Sequence, residues 1–151
     1  MSYLDCLTGA YNRCYLEKEI HILNTKKDLP IGIIFYDLDN LKTTNDAIGH
    51  EFGDKLIVRF FNILKDTFTK NSVIARTGGD EFIVIIKDVP LNKVKALFAI
   101  LNESICKQNK HNRELQVKVS IGYSFSETSI GVTKQFINIA DKNMYKNKQS
   151  K

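Results

Sequence analysis

Two short acidic clusters carry the chemistry this sequence is equipped for. The first is Asp37-Leu38-Asp39, directly after the apolar run IGIIFY. The second is Asp80-Glu81, directly after Gly78-Gly79 in RTGGDEFIVI, residues 76–85. Neighbouring carboxylates repel, and some of a crowded set stay protonated unless positive charge lies among them. A divalent cation removes that penalty, because Mg²⁺ and Mn²⁺ take oxygen ligands and leave positions open for phosphates. Residues two apart in an extended chain share a face, so Asp37 and Asp39 are expected to point the same way. Together the clusters would bring three or four carboxylates around a metal. The glycines are expected to give their turn unusual dihedrals and to let phosphates approach backbone N–H groups. Taken singly, each cluster also fits surface acids at a strand end or an ordinary turn.

Between them lies NLKTTNDAIGHEFGDKL, residues 40–56. Asn45 and Asp54 offer a carboxamide and a carboxylate. A carboxylate accepts from two parallel N–H donors, which guanine presents on its Watson–Crick edge and adenine does not. Burying such a pair would select guanine, since the wrong base leaves polar groups unpaired. Helix capping near Gly49 and Gly53 is the competing reading of the same residues.

The elements that must position these groups are legible from hydrophobic period. IGIIFYDLD reads as a buried strand, and SVIAR and EFIVIIK as the arms of a hairpin around the glycines. Leu115, Val117, Val119, Ile121, Tyr123 and Phe125 alternate as a further strand. Helical stripes run through Leu16, Ile20 and Leu23, through Leu56, Phe60, Ile63, Leu64 and Phe68, through Val94, Leu97, Leu101 and Ile105, and through Phe136, Ala140 and Met144. The order is helix, strand, helix, helix, strand-hairpin-strand, helix, strand, helix. It predicts an α+β fold: a mainly antiparallel sheet backed by helices, with the first strand beside the hairpin. The end of the first strand and the double-glycine turn would then lie side by side.

Bulk properties narrow the partners. A chain of 151 residues with 43% hydrophobic content fits a single domain, expected over residues 1–151. No apolar run approaches the ~20 residues of a membrane helix, and no secretory leader pattern opens the chain. Cys6, Cys14 and Cys106 have no paired spacing, which argues against a disulfide framework or zinc and for a reducing, cytoplasmic compartment. The net charge of +5 is mostly scattered lysine, which would favour phosphates of any kind but fits a solvated lysine-rich face equally; without interleaved aromatics it is weak evidence for nucleic acid, and no nucleic-acid partner is expected.

At this point the sequence resembles the GGDEF family, the diguanylate cyclases of bacterial signalling. The resemblance runs through DCLTGAYNR at 5–13, YDLDNLKTTNDAIGHEFGD at 36–54, RTGGDEF at 76–82, VSIGYS at 119–124 and ADKNMYKNK at 140–148. It implies the palm-like, ferredoxin-like topology of nucleotidyl cyclases and polymerases. It also implies condensation of two GTP to cyclic di-GMP, with two Mg²⁺ or Mn²⁺ ions per active site. Carried over, Asp37 and Asp80 would bind the metals with the Leu38 carbonyl, and Glu81 would lie against the second metal or help take the proton of the attacking hydroxyl. Lys42 and Lys148, with Arg76, would hold phosphates. Asn45 and Asp54 would read guanine, and Gly78 and Gly79 would admit the phosphates. Each subunit would hold one GTP, so a transient homodimer is expected. The product-binding R-x-x-D of many members is replaced here by Thr69-Lys70-Asn71-Ser72, which predicts no feedback inhibition through that site. The resemblance is compatible with a stand-alone domain or with a piece of a longer protein carrying a sensor domain. Its alternatives are a GTP-binding regulatory module without turnover and a related cyclase making another cyclic nucleotide.

Overall fold

The computed structural model describes residues 2–151. In chain order the elements are α1 (Arg13–Thr25), β1 (Ile31–Leu38), α2 (Leu41–Ile48), α3 (His50–Thr67), β2 (Ser72–Arg76), β3 (Glu81–Lys87), α4 (Leu91–His111), β4 (Val119–Ser126) and α5 (Thr133–Gln149). The sheet runs β2-β3-β1-β4 with every neighbouring pair antiparallel. This is the expected α+β arrangement, with β1 and the hairpin as central neighbours. Among the described residues, no helix is long and apolar enough to cross a membrane.

Local chemistry sets the boundaries. The Asn12 side chain accepts from the Tyr15 N–H and starts α1. Pro90 precedes α4, where its missing N–H costs nothing. Gly49 joins α2 to α3 at φ 110°, a backbone conformation that side chains disfavour.

The sheet is covered on both faces, so β1 is buried throughout and reads as an unbroken apolar run. Ile34, Tyr36, Phe82, Val84 and Ile86 pack with Phe60, Leu64, Val94 and Leu101 of α3 and α4. Ile31, Ile33, Phe35, Ile83 and Ile85 pack with Leu16 and Leu23 of α1 and Ala140 and Met144 of α5. The second set leads, two residues at a time, to Asp37 on β1 and Glu81 on β3. The same alternation that buries the isoleucines therefore delivers both acids to one face at one end of the sheet.

Two expectations are corrected, and one feature goes beyond them. β4 begins at Val119, not near Leu115, because the Asn109 side chain takes both backbone groups of Val117 at 2.8 Å and occupies its ladder positions. Gly78 and Gly79 do not have positive φ among the described residues, where only Gly9, Gly49 and Gly131 do among glycines. Nor does packing within the turn require them: a Cβ on Gly79 would meet nothing within 4 Å, and one on Gly78 would meet only the Glu81 Cβ at 3.7 Å. Finally, β4 buries its small residues most deeply, Ser120, Gly122, Ser124 and Ser126, while its aliphatic and aromatic residues are less buried. The cause is α5, whose backbone passes so close that a Cβ on Gly122 would lie 2.0 Å from the Met144 nitrogen.

Candidate functional site

Antiparallel pairing sets Asp37 opposite Glu81, and the Leu38 N–H donates to the Asp80 carbonyl at 2.9 Å. The two acidic clusters thus meet at one end of the sheet. Asp37 is only 8% exposed. Lys148 of α5 donates to its Oδ2 at 3.0 Å, while its Oδ1 is buried with no hydrogen-bond partner. Burial pushes the Asp37 carboxyl above its ordinary range, and the nearby Asp80 carboxylate adds to the rise, together outweighing the Lys148 hydrogen bond. The Lys148 ammonium is raised in turn by its bond to Asp37. Asp39, just beyond β1, accepts from Ser120 at 2.6 Å and from Lys151 at 2.8 Å.

A divalent cation fits Asp37 and Asp80. The orphaned Asp37 oxygen is a hard, buried donor beside a second carboxylate, and it needs a positive partner. The fit is a two-acid one. Among the described residues, no three acidic, histidine or cysteine side chains gather as a metal-binding group. The expected larger cluster is not formed because Glu81 accepts from the Thr77 hydroxyl at 2.7 Å and Asp39 is held by Ser120 and Lys151. Two carboxylates suffice for an ion that completes its shell with waters and substrate phosphates.

Arg76, expected to hold phosphates, has its donors on protein groups. Its Nη1 donates to both carboxylate oxygens of Asp5 at 3.1 Å, and its Nε and Nη2 donate to the Gly79 carbonyl at 3.3 and 3.0 Å. Arg76 therefore ties the double-glycine turn to the opening segment, which also runs along β2 through Tyr11. Burial opposes ionisation of Asp5, but Thr8 and Arg76 outweigh it and hold the carboxyl below its ordinary range. Neither partner is locally signalled: the two residues are far apart in sequence, and only the folded chain brings them together. Arg13 adds a further brace, donating to the Thr77 carbonyl at 3.1 Å.

Asn45 lies within α2 and Asp54 within α3, so neither caps a helix, and the capping alternative falls. Asn45 sits over Gly53, the residue before Asp54, and its Oδ1 is buried without a partner. Asp54 is exposed beside Leu7, Val58 and Leu115, which line a shallow depression of about 440 Å³ along α3. Leu7 and Val58 were not singled out from sequence. Leu7 falls in the opening motif and Val58 one helical turn after Asp54, and that spacing is the signal that points to it. Lys42 is exposed on α2, and Gly78 and Gly79 are exposed at the turn.

The fold is shared with known proteins. A family model described as diguanylate cyclase, GGDEF domain, matches residues 2–151. The probable diguanylate cyclase DgcT of Escherichia coli is 27% identical over 99% of this chain and 34% of its own length. The diguanylate cyclase DgcS of Shewanella oneidensis is 30% identical over 97% of this chain and 49% of its own length. This chain thus spans at most about half the length of these relatives. The GGDEF domain of FimX from Pseudomonas aeruginosa superposes with a TM-score of 0.85 at 19% identity, covering 100% of this chain and 96% of that one, a likeness of fold.

Proposed function

The chain belongs to the diguanylate cyclase GGDEF domain family, and from that premise we propose that it condenses two GTP molecules into cyclic di-GMP with release of pyrophosphate. The observation that carries the reading is the buried, unpartnered Asp37 oxygen beside Asp80 at the strand end. Mg²⁺ or Mn²⁺ bound there, two per site in this reading, would neutralise phosphate charge and acidify the attacking 3′-hydroxyl.

The chain's own residues supply the rest. Asp37, Asp80 and the Leu38 carbonyl would hold the cation. Glu81, steadied by Thr77, would lie against the second ion or accept the 3′-hydroxyl proton as that oxygen attacks the α-phosphorus. The bond to the β-phosphate breaks, and pyrophosphate leaves against Lys42 and Lys148. Gly78 and Gly79 leave the turn open to the phosphates, while Arg76 and Asp5 fix the turn. Asn45 and Asp54 read guanine, with Leu7 and Val58 as its apolar support. One chain has one such acid pair, and the product needs two nucleotides. Two copies must therefore face each other, forming a transient homodimer, and the reaction runs twice. Its setting is the cytoplasm.

A second reading, a GTP-binding module without turnover, is favoured by one feature: among the described residues no group of three metal-binding side chains forms, and Glu81 is turned to Thr77. Concentrated protein incubated with GTP and Mg²⁺, with mass identification of the product, separates the two. Cyclic di-GMP forming faster than linearly with protein supports the enzyme. GTP retained without any cyclic dinucleotide, even when dimerisation is forced, overturns it.

A further inference from the structure

The acidic strand end is neutralised by lysines. Lys148 occupies Asp37 and Lys151 occupies Asp39, where Lys151 also donates to the Val119 carbonyl. The two lysine side chains, Lys148 in the last turn of α5 and Lys151 just beyond it, are almost half exposed, whereas the aspartate side chains they hold are mostly buried. They line one side of a cavity of about 700 Å³ together with Asp39, Asn40 and Lys118. Lys118 lines the same cavity, and none of its hydrogen bonds or ion pairs among the described residues goes to either carboxylate.

The carboxylate of each pair is held within the fold, and its lysine sits at the solvent side on a long stem with many rotamers. A divalent cation at Asp37 competes with Lys148 for the same carboxylate. An ammonium so displaced stays within reach of the cavity, where a polyphosphate would need cations. We propose that Lys148 and Lys151 are exchangeable counter-ions, each holding one carboxylate of the strand end until a divalent cation arrives, then passing to the polyphosphate that comes with it. The proposal rests on the cyclase reading only for the identity of that polyphosphate. It makes metal and polyphosphate binding mutually reinforcing, since each relieves what opposes the other.

The test is Mn²⁺ binding to the nucleotide-free protein, followed by electron paramagnetic resonance, for wild type, Lys148→Gln, Lys151→Gln and Lys118→Gln. Thermal melting confirms that each variant is folded. Lys148→Gln should bind Mn²⁺ at least about fivefold more tightly, the low end of coupling between linked sites. Lys151→Gln should do so more weakly, and Lys118→Gln should not differ from wild type. Inorganic triphosphate, titrated with and without saturating Mg²⁺, should gain affinity from the metal in wild type and gain less in the Lys148→Gln, Lys151→Gln double variant. Equal Mn²⁺ affinity in wild type and Lys148→Gln would overturn the exchange. So would equal tightening in Lys118→Gln, which marks a general field effect. An exchange observed in a protein that makes no cyclic dinucleotide would sink the cyclase reading and leave this proposal standing. A cyclase without the exchange would do the reverse.

Discussion

Gly53→Ala separates recognition of the base from stability of the fold. The added methyl would lie 1.7 Å from the Asn45 Oδ1 and 2.8 Å from its Cγ, so the carboxamide must swing away. Its Oδ1 has no partner now, so reaching solvent relieves a buried polar atom. Gly53 lies inside α3, where alanine is the better helix former by about 1 kcal/mol. The melting temperature is therefore expected to hold or rise. If Asn45 reads guanine, however, the base loses its partner, at about 1–3 kcal/mol. That corresponds to roughly 5- to 150-fold weaker GTP binding. Calorimetric titration with GTP, alongside melting curves, measures both effects. A double-mutant cycle sharpens the assay: Gly53→Ala added to Asn45→Ala should weaken GTP no further, because both remove one carboxamide. GTP affinity unchanged in Gly53→Ala, or additive losses in the cycle, would refute the reasoning.

The remaining predictions concern the scaffold, the latch and the base. Gly122→Ala places its methyl 2.0 Å from the Met144 nitrogen and 2.2 Å from the Ala140 carbonyl, both backbone, so α5 must shift; about 1–3 kcal/mol of stability should be lost in urea melts. Asp5→Asn should cost about 2 kcal/mol at neutral pH through the bonds from Arg76 and Thr8. Because the folded Asp5 carboxyl lies below its ordinary value near 3.8, that stability is present above this value and is lost as pH falls through the folded one, so wild type and variant should converge in strong acid. Asp54→Ser should relax the choice of base, seen as a smaller ratio of GTP to ATP affinity; an unchanged ratio would remove Asp54 from base reading.

The element order was legible because hydrophobic period survives folding: the stripe from Leu56 to Phe68 and the run from Ile31 to Tyr36 describe their own burial. The meeting of Asp37 with the double-glycine turn was legible too, since a hairpin beside a central strand leaves few alternatives. What the sequence hid were contacts made by side chains on backbone. Nothing near Val117 announces that Asn109 will take its N–H and carbonyl. Nothing near Arg76 announces Asp5, so its charge read as a phosphate cation when its donors are committed to the turn. The alternation of β4 does not say which half is covered, and it is the small residues against which α5 lies. Lys151 and Ser120 were missed because their roles follow from Asp39, whose orientation only the fold determines.

The account turns on a cation held between Asp37 and Asp80. A crystal grown with Mn²⁺ and a non-hydrolysable GTP analogue, examined by anomalous scattering, addresses it most directly. The account predicts Mn²⁺ bonded to both carboxylates at about 2.0–2.3 Å, with Lys148 moved off Asp37. Anomalous signal elsewhere would contradict it, whereas Lys148 still bonded to Asp37 with the cation in place would overturn only the exchange.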